Sequence, residues 1–439
     1  MRVRTASWRG STRPGGCGRS GWCSRRPSPC APTRRTPADT VSSPDPTTPL
    51  SPDPEAPRMI LAVTLMVRDE ADVIPAWLDH HVAQGFDVFV ITDNGSVDGT
   101  AELLAAFAER PDVTVDLRSD PVHRKQQGTV VTGMARDAAS IHSADWVVNA
   151  DADEFVLPVD RSLTVRQVFE RLDPAIGAFT VPVVNLTGML AESGSGIERL
   201  HWRDERSVAE LEAIGLLGPP STNAVHVGDP EVVVVQGNHQ VSVANRAPVP
   251  SGLELEVLHL PWRSWAQYEH RVDVSGRAYE ANPDLTPSPR HHGMRDLHRL
   301  REGVLQATFA LRFVTDEDAA AGPFTRDDGI ADALRRAGST TLDGAGDPVV
   351  TEDELRRLQA LGHAIVDRDQ RIASLEDAVR AGEATADTLR ATVQFERDRA
   401  EAALRELAVR DAELAAMHAR RVVRITDRAT EAVRRLRRR

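Results

Sequence analysis

The chain has 439 residues, 41% hydrophobic and 27% charged, enough to bury a substantial core and to form two or three domains. Its formal net charge of −12 is unevenly spread: residues 1–58 carry ten Arg against four acids and residues 420–439 nine Arg against two, which leaves about −25 for the middle. Such an acidic body excludes nucleic acid as its partner, while the basic ends suit anionic surfaces.

Residues 1–58 are rich in Arg, Ser, Pro and Thr with no hydrophobic period, the composition of a disordered segment, and Met59 reads as an alternative start. All three cysteines (Cys17, Cys23, Cys30) lie there, so no disulfide, thiol nucleophile or cysteine metal site is expected in the folded part. No run reaches the roughly 20 apolar residues that cross a bilayer, and no signal-peptide core is visible; a cytoplasmic location is expected.

From Met59 strand and helix patterns alternate, which predicts an α/β fold with a mostly parallel, Rossmann-like sheet flanked by helices. The expected order is a strand over 60–67, a helix over 74–83 stopped by Gly85, a strand over 88–92, a helix over 100–108, a strand over 113–117, a helix over 129–141 and a strand over 146–149. Such sheets bind ligands beyond the carboxyl ends of their strands. Three of these ends carry polar clusters: Arg68-Asp69-Glu70, the DNGSVDGT run from Asp93 to Thr100, and Asp151-Ala152-Asp153-Glu154.

Beyond Pro158 the pattern loosens. Strands are expected over 178–184, 231–235 and 255–260, and a helix over 265–277. This sets a domain at 59–280, followed by a helical or irregular extension at 281–350. From residue 351 one apolar column recurs every seven residues: Leu358, Ile365, Ile372, Val379, Ala386, Val393, Ala400, Leu407, Leu414. That is a coiled-coil seam. Its companion column is broken by Arg368, Gly382, Glu396 and Arg410, so a weak or antiparallel association is expected; a single helix held by its charge pairs fits equally well. The last turns set Val422, Val423, Ile425, Val433 and Leu436 among Arg, as an interfacial helix or a solvated basic end would.

Carboxylates two apart at a strand end can turn toward one hard divalent cation, whose remaining positions substrate phosphates complete. The alternative for Asp151 and Asp153 is a solvent-facing turn, or a cap for a helix beginning near Ser162. Asp93 and Asn94 offer hydrogen bonds to a base or ribose, with Asp98 capping the next helix. Lys125 is the lone lysine of the chain; with Arg124, Gln126 and Gln127 it precedes a helix, where it could meet a pyrophosphate. Among the histidines are His239 in GNHQ and His259 in LHLPWRSWAQY, and His259 ends a strand of the same presumed sheet.

Four motifs in order resemble the family 2 glycosyltransferases of the GT-A type. They are VRDEADVIPAWLDHHVAQG (67–85), DNGSVDGT (93–100), WVVNADADEF (146–155) and HLPWRSWAQYEHRV (259–272), spanning about half the chain. Asp69 stands where Asn is commoner, and Asn94 where many relatives have Asp. The resemblance implies transfer of a sugar, with inversion, from a nucleotide-sugar donor to a glycan or other acceptor hydroxyl, at a Mn²⁺ or Mg²⁺ site. It implies Asp153 as the metal ligand, Asp151 on ribose or metal, and His259 completing the site. Arg68, Glu70, Asp93 and Asn94 would hold the nucleoside, and Lys125 and Gln126 the diphosphate. The general base is open among Asp204, Glu205 and Glu231. A homodimer through the coil, and peripheral contact of the basic C-terminus with the inner face of the cell membrane, are further expectations. Two other classes fit parts of the pattern: a catalytically degenerate platform beneath a coiled coil, and an aspartate-dependent phosphotransferase, which Glu154-Phe155 after the second Asp disfavours.

Overall fold

Leu61–Val67 (β1) is an apolar run buried along almost its whole length, as the central strand of a sheet covered on both faces must be. The chain continues through Ile74–Ala83 (α1), Val88–Asp93 (β2), Thr100–Ala108 (α2), Thr114–Ser119 (β3), Gln127–Ser140 (α3) and Trp146–Asn149 (β4). β3, β2, β1 and β4 lie side by side in parallel, with Val67 opposite Asp93 and Asp93 opposite Ser119. The polar loops after β1, β2 and β4 therefore gather along one edge. Pro75 opens α1, where its missing N–H costs nothing, and Gly85 ends the turn at φ +91°. The coordinates are a computed structural model that describes residues 58–121, 127–216, 220–281, 292–342 and 346–438.

After β4 come Glu154–Pro158 (β5), Val165–Phe169 (α4), Ala178–Val181 (β6), Val183–Thr187 (β7), Trp202–Asp204 (β8), Val208–Ala213 (α5), Asn223–Val227 (β9) and Leu255–His259 (β10). They are followed by Trp265–Ala281 (α6), His292–Arg301 (α7), Leu305–Ala310 (α8), Asp316–Ala321 (α9), Phe324–Arg326 (β11), Gly329–Ala337 (α10) and Glu352–Arg437 (α11). The expected α/β arrangement with a long C-terminal helix is what forms. Parallel pairing is largely confined to the first four strands, however. β9 and β6 complete the first sheet in antiparallel fashion, in the order β3-β2-β1-β4-β9-β6, and β11-β8-β7-β10-β5 make a second.

Several expectations are corrected here. The single strand expected over 178–184 is two strands split at Pro182, which has no N–H for a ladder; β6 joins the first sheet and β7 the second. Residues 231–235 alternate buried and exposed but join neither sheet, making a single bridge from Val234 to Val241. The Val234 N–H goes instead to Thr132 Oγ1 at 2.9 Å and that of Val233 to Ser242 Oγ at 2.9 Å. His259 does end a strand, but one of the second sheet. The helix expected near Ser162 starts at Val165 and is capped by Thr164 in a capping box with Gln167, not by the acids at 151–154.

The stretch 281–350 adds β11 to the second sheet, and its Phe309, Phe313, Ile330 and Leu334 lie in the same core as Leu61 and Trp77. α11 is 86 residues long, about 129 Å at 1.5 Å per residue. Thr351 caps it by accepting the Glu354 N–H at 3.2 Å, with acids in the first turn and Arg in the last, as the helix dipole favours. Only its root is buried, at Leu355, Gly362, Ile365 and Val366. Gly362 allows the close approach to α8: a Cβ there would sit 2.3 Å from the Ala307 carbonyl oxygen. None of the described helices is long and apolar enough to cross a membrane.

Candidate functional site

Asp151, Ala152 and Asp153 are the corner where the chain leaves the first sheet at β4 and enters the second at β5. Glu154 holds this corner. Its carboxylate accepts the Asp151 N–H at 3.0 Å and the Asn223 side-chain amide at 2.6 Å, while its own N–H donates to the Asp151 carbonyl at 3.1 Å. β10 runs antiparallel to β5 with His259 opposite Glu154, and the Leu260 N–H donates to the Asp153 carbonyl at 2.8 Å. The second sheet thus delivers His259 and the start of α6 to the acidic corner.

Asp153 is buried among positive groups. Its Oδ1 faces His259 Nε2 at 3.5 Å, and its Oδ2 faces Arg263 and Arg271 guanidinium nitrogens at 3.8 and 3.6 Å. Burial opposes its charge, but His259 and the two arginines outweigh that and hold the carboxyl well below the usual range. For His259, burial disfavours the charged ring, and Asp153 with Glu154 and Asp151 more than compensates, so it is held above the ordinary value. Its Nδ1–H donates to Asn185 Oδ1 at 2.9 Å, which fixes the ring. Arg263 has no exposed side-chain surface; it bonds both Glu70 and Asp72, the latter at 2.9 Å, and its Nη1 has no hydrogen-bond partner.

Asp151 is held differently. Its Oδ1 accepts from Gln127 Nε2 at 3.0 Å and Asn238 Nδ2 at 3.2 Å, neutral amides in both cases. Burial, then Glu154, then Asp153 push its carboxyl well up. The two aspartates therefore do not share one set of partners: one is neutralised by cations, while the other remains a carboxyl crowded by its own kind. A hard oxygen donor bonded only by neutral amides fits a divalent cation; Asp151 is that donor, and Asp153, whose charge His259, Arg263 and Arg271 already share, is the carboxylate beside it that would complete the pair. Among the described residues no group of three His, Cys, Asp or Glu side chains converges as a ready-made metal cage.

The loops after β1 and β2 are stapled together. The Asp69 N–H donates to Ser96 Oγ at 3.0 Å, that of Glu70 to Thr100 Oγ1 at 2.9 Å, and that of Ala71 to Asp98 Oδ2 at 2.9 Å. Asp69 takes φ +53°, a left-handed conformation Asn and Asp tolerate, and its carboxylate accepts the Val97 N–H at 2.8 Å and meets His270 Nε2 at 3.0 Å. Arg68 donates to the Asn94 carbonyl at 2.7 Å, Asn94 Nδ2 to the Asp120 carbonyl at 2.7 Å, and the Ser96 N–H to Asp93 Oδ1 at 3.2 Å. Asp98 accepts from the Thr100 N–H at 3.0 Å, although Gly99 occupies the cap position.

Of the expected bases, Asp204 sits on β8, three strand spacings or roughly 14 Å from Glu154, with its carboxylate bonded by Arg206 at 2.5 and 2.7 Å. Glu205 is exposed and accepts the Thr325 hydroxyl at 3.1 Å; Glu231 is exposed in a turn. His239 bonds the Thr222 carbonyl at 3.1 Å and Ser221 Oγ at 3.0 Å, while its neighbour Asn238 reaches Asp151. Lys125 and Gln126 lie outside the described residues. Arg263 and Arg271 were not anticipated; the available signal was a charged residue between two tryptophans in Pro261-Trp262-Arg263-Ser264-Trp265, where an apolar flank demands a buried counter-charge. A cavity of about 940 Å³, lined by Asp79, Arg110 and Arg336 among others, lies elsewhere and includes none of the corner residues.

No family model matches the chain, and no curated protein sequence matches it. Among solved structures it is similar to S. aureus TarS 1–349 in complex with UDP, at 11% identity over 65% of this chain and 92% of that one, with a TM-score of 0.29. It is also similar to glucosyl-3-phosphoglycerate synthase from Mycobacterium tuberculosis in complex with phosphoglyceric acid, at 18% identity over 38% and 57% of the two chains, TM-score 0.22. HddC from Yersinia pseudotuberculosis gives 10% over 45% and 76%, TM-score 0.19. Similarity at this level carries no functional weight, and function rests on the chain's own residues.

Proposed function

We propose that the chain is a glycosyltransferase that moves a sugar from a nucleoside-diphosphate sugar to an acceptor hydroxyl. The observation that carries this reading is the corner at β4: Asp153 fixed between His259, Arg263 and Arg271, with the electrostatically unsatisfied Asp151 beside it. It stands at the strand edge shared by the loops after β1 and β2, the place where an open α/β sheet takes a nucleotide. In this reading Arg68, Asp93 and Asn94 line the nucleoside side, and Arg271 faces the diphosphate. Arg263 keeps Glu70, Asp72 and Asp153 in place. Mn²⁺ or Mg²⁺ held by Asp151 and Asp153 supplies, when bound, positive charge to the departing diphosphate. Direct displacement with inversion needs a carboxylate to take the acceptor proton. None of the expected bases touches the corner: Asp204 is held by Arg206, Glu205 accepts from Thr325, and Glu231 follows Gly228, whose N–H bonds the Asp145 carbonyl at the start of β4.

A second reading, a donor-binding platform without turnover, is favoured by two observations: three cations already neutralise Asp153, and no three-donor cage exists among the described residues. Thermal shift with UDP-, GDP- and dTDP-sugars, with and without Mn²⁺, separates the possibilities when combined with an assay for released nucleoside diphosphate. A ligand at a hundred times its Kd adds roughly 2.7 kcal/mol of stability. The proposal expects that gain to need both the metal and Asp153 and to vanish in Asp153→Ala. Equal shifts in the variant overturn the metal assignment. Binding with no release on any acceptor selects the platform.

A further inference from the structure

We infer that the projecting part of α11 pairs antiparallel with the same helix of a second copy, in the register that sets Leu389 opposite Leu414 and Ala400 opposite Ala403. The inference does not depend on the glycosyltransferase reading. Beyond Val366 no residue of α11 is buried, yet the free length carries a seam of large apolar side chains, among them Ile372, Leu389, Val393, Leu407 and Leu414, each 48–67% exposed. A helix that presents such a seam over many turns is half of a coiled coil.

The charges within the seam choose the direction. Glu396 and Arg410 both fall in the second heptad column. A parallel, in-register pair would set Glu396 on Glu396 and Arg410 on Arg410, like charges facing each other across the core. The antiparallel register places Ala386 against Met417, Val393 against Arg410, and Glu396 against Leu407. Glu396 of one copy and Arg410 of the other then stand in adjacent layers, about 5 Å apart along the axis, twice by symmetry. Within one chain these two residues meet only the exposed Arg399 and Glu406, pairs that hold them weakly and leave them available.

One further feature agrees with this register. It lays the basic segment 420–438, with eight Arg against Asp427 and Glu431, along the partner's helix root, where Asp367, Asp369, Glu376, Asp377 and Glu383 outnumber Arg368, Arg371 and Arg380; the one like-charge layer it creates is Arg435 on Arg368, against the Glu396, Arg410 and Arg368 layers that a parallel pair would double. At that root lies a groove of about 610 Å³ with a mixed lining, Leu216, Val366 and Ile372 among Glu302, Glu376, Arg295 and Arg299.

The test uses the full chain with Cys17, Cys23 and Cys30 replaced by Ser. Sedimentation at micromolar concentration is expected to give a dimer. Glu396→Arg sets Arg against Arg and is expected to weaken dimerisation about 10-fold or more, while Glu396→Arg with Arg410→Glu restores it to within about 3-fold. Both positions are exposed, so circular dichroism will report an unchanged single-chain helix. In oxidising conditions the Leu389→Cys, Leu414→Cys double variant should form a disulfide-linked dimer and each single variant none. Self-linking of the single variants, a charge swap that fails to rescue, or a monomer that associates only with anionic lipid vesicles each overturns the inference.

Discussion

At the corner between the sheets Arg263 is wholly buried and touches Glu70, Asp72 and Asp153, whereas Arg405 on α11 meets only Glu401, at 3.3 Å, with side chains 80% and 55% exposed. The residue types are the same and the separations similar. What differs is the medium. Water screens the pair on the helix, so its charges hold little geometry and contribute almost nothing to stability. At the corner each charge has lost its hydration and is tolerable only with its partners present, so the cluster fixes positions rather than adding net stability. A chain that must place a carboxylate to within a fraction of an ångström uses the first kind of environment for solubility and the second for precision of geometry.

The contrast can be broken by removing one cation from each region. Arg263→Ala leaves Glu70, Asp72 and Asp153 without their shared partner and is expected to destabilise the fold by about 3–5 kcal/mol, read from the urea midpoint. Recovery of the midpoint in high salt would place the cluster in the screened regime after all. The buried side can also be probed by protons. His80 has no exposed surface, donates to the Val156 carbonyl at 2.9 Å, and is pushed down by burial to about 4. Between pH 6.5 and 4 the unfolded chain binds a proton that the native chain refuses. The stability is thus intact above 6.5 and lost as pH falls, by about 2 kcal/mol at pH 5. His80→Gln should make that part of the urea-midpoint profile between pH 7.5 and 5 shallower, the buried His81 keeping its own share; an unchanged slope would assign it elsewhere.

A smaller effect is expected where the two regions join. Gly362→Ala drives a Cβ toward the Ala307 carbonyl and the Leu311 side chain, and overpacking of this kind costs about 1–3 kcal/mol. Limited proteolysis between α10 and α11 should accelerate in that variant while the sheets stay protected. Smallest of all is Arg405→Ala, for which no resolvable shift in the thermal midpoint is expected; a clear loss would show that α11 is packed in solution at that position.

The first half of the fold was legible because its signals are local. β1, α1, β2, α2 and β4 each coincide with an apolar run closed by Gly, Pro or Asp, and their ends fall within a residue of expectation. What failed was pairing. The sequence WVVNADADEFVLP reads as one strand ending in acids, yet two strands of different sheets flank those acids, because nothing in a local pattern states which neighbour a strand will bond. The apolar run over 231–235 reads as a strand, but the N–H groups of Val233 and Val234 go to the Ser242 and Thr132 hydroxyls rather than to a ladder. Asp151 and Asp153 could be named from the motif, and Arg263 could not, since its importance lies in three acids that come from distant segments.

His259, Arg263 and Arg271 stand within one short stretch, running from the last residue of β10 into α6. The whole positive complement of the corner is therefore a portable cassette: a transplant of residues 255–281 between related scaffolds would carry its cations together, whereas the acids they meet come from separate segments of the chain. Divergence in this kind of site can proceed by altering one contiguous piece of chain while the opposing wall stays as it was.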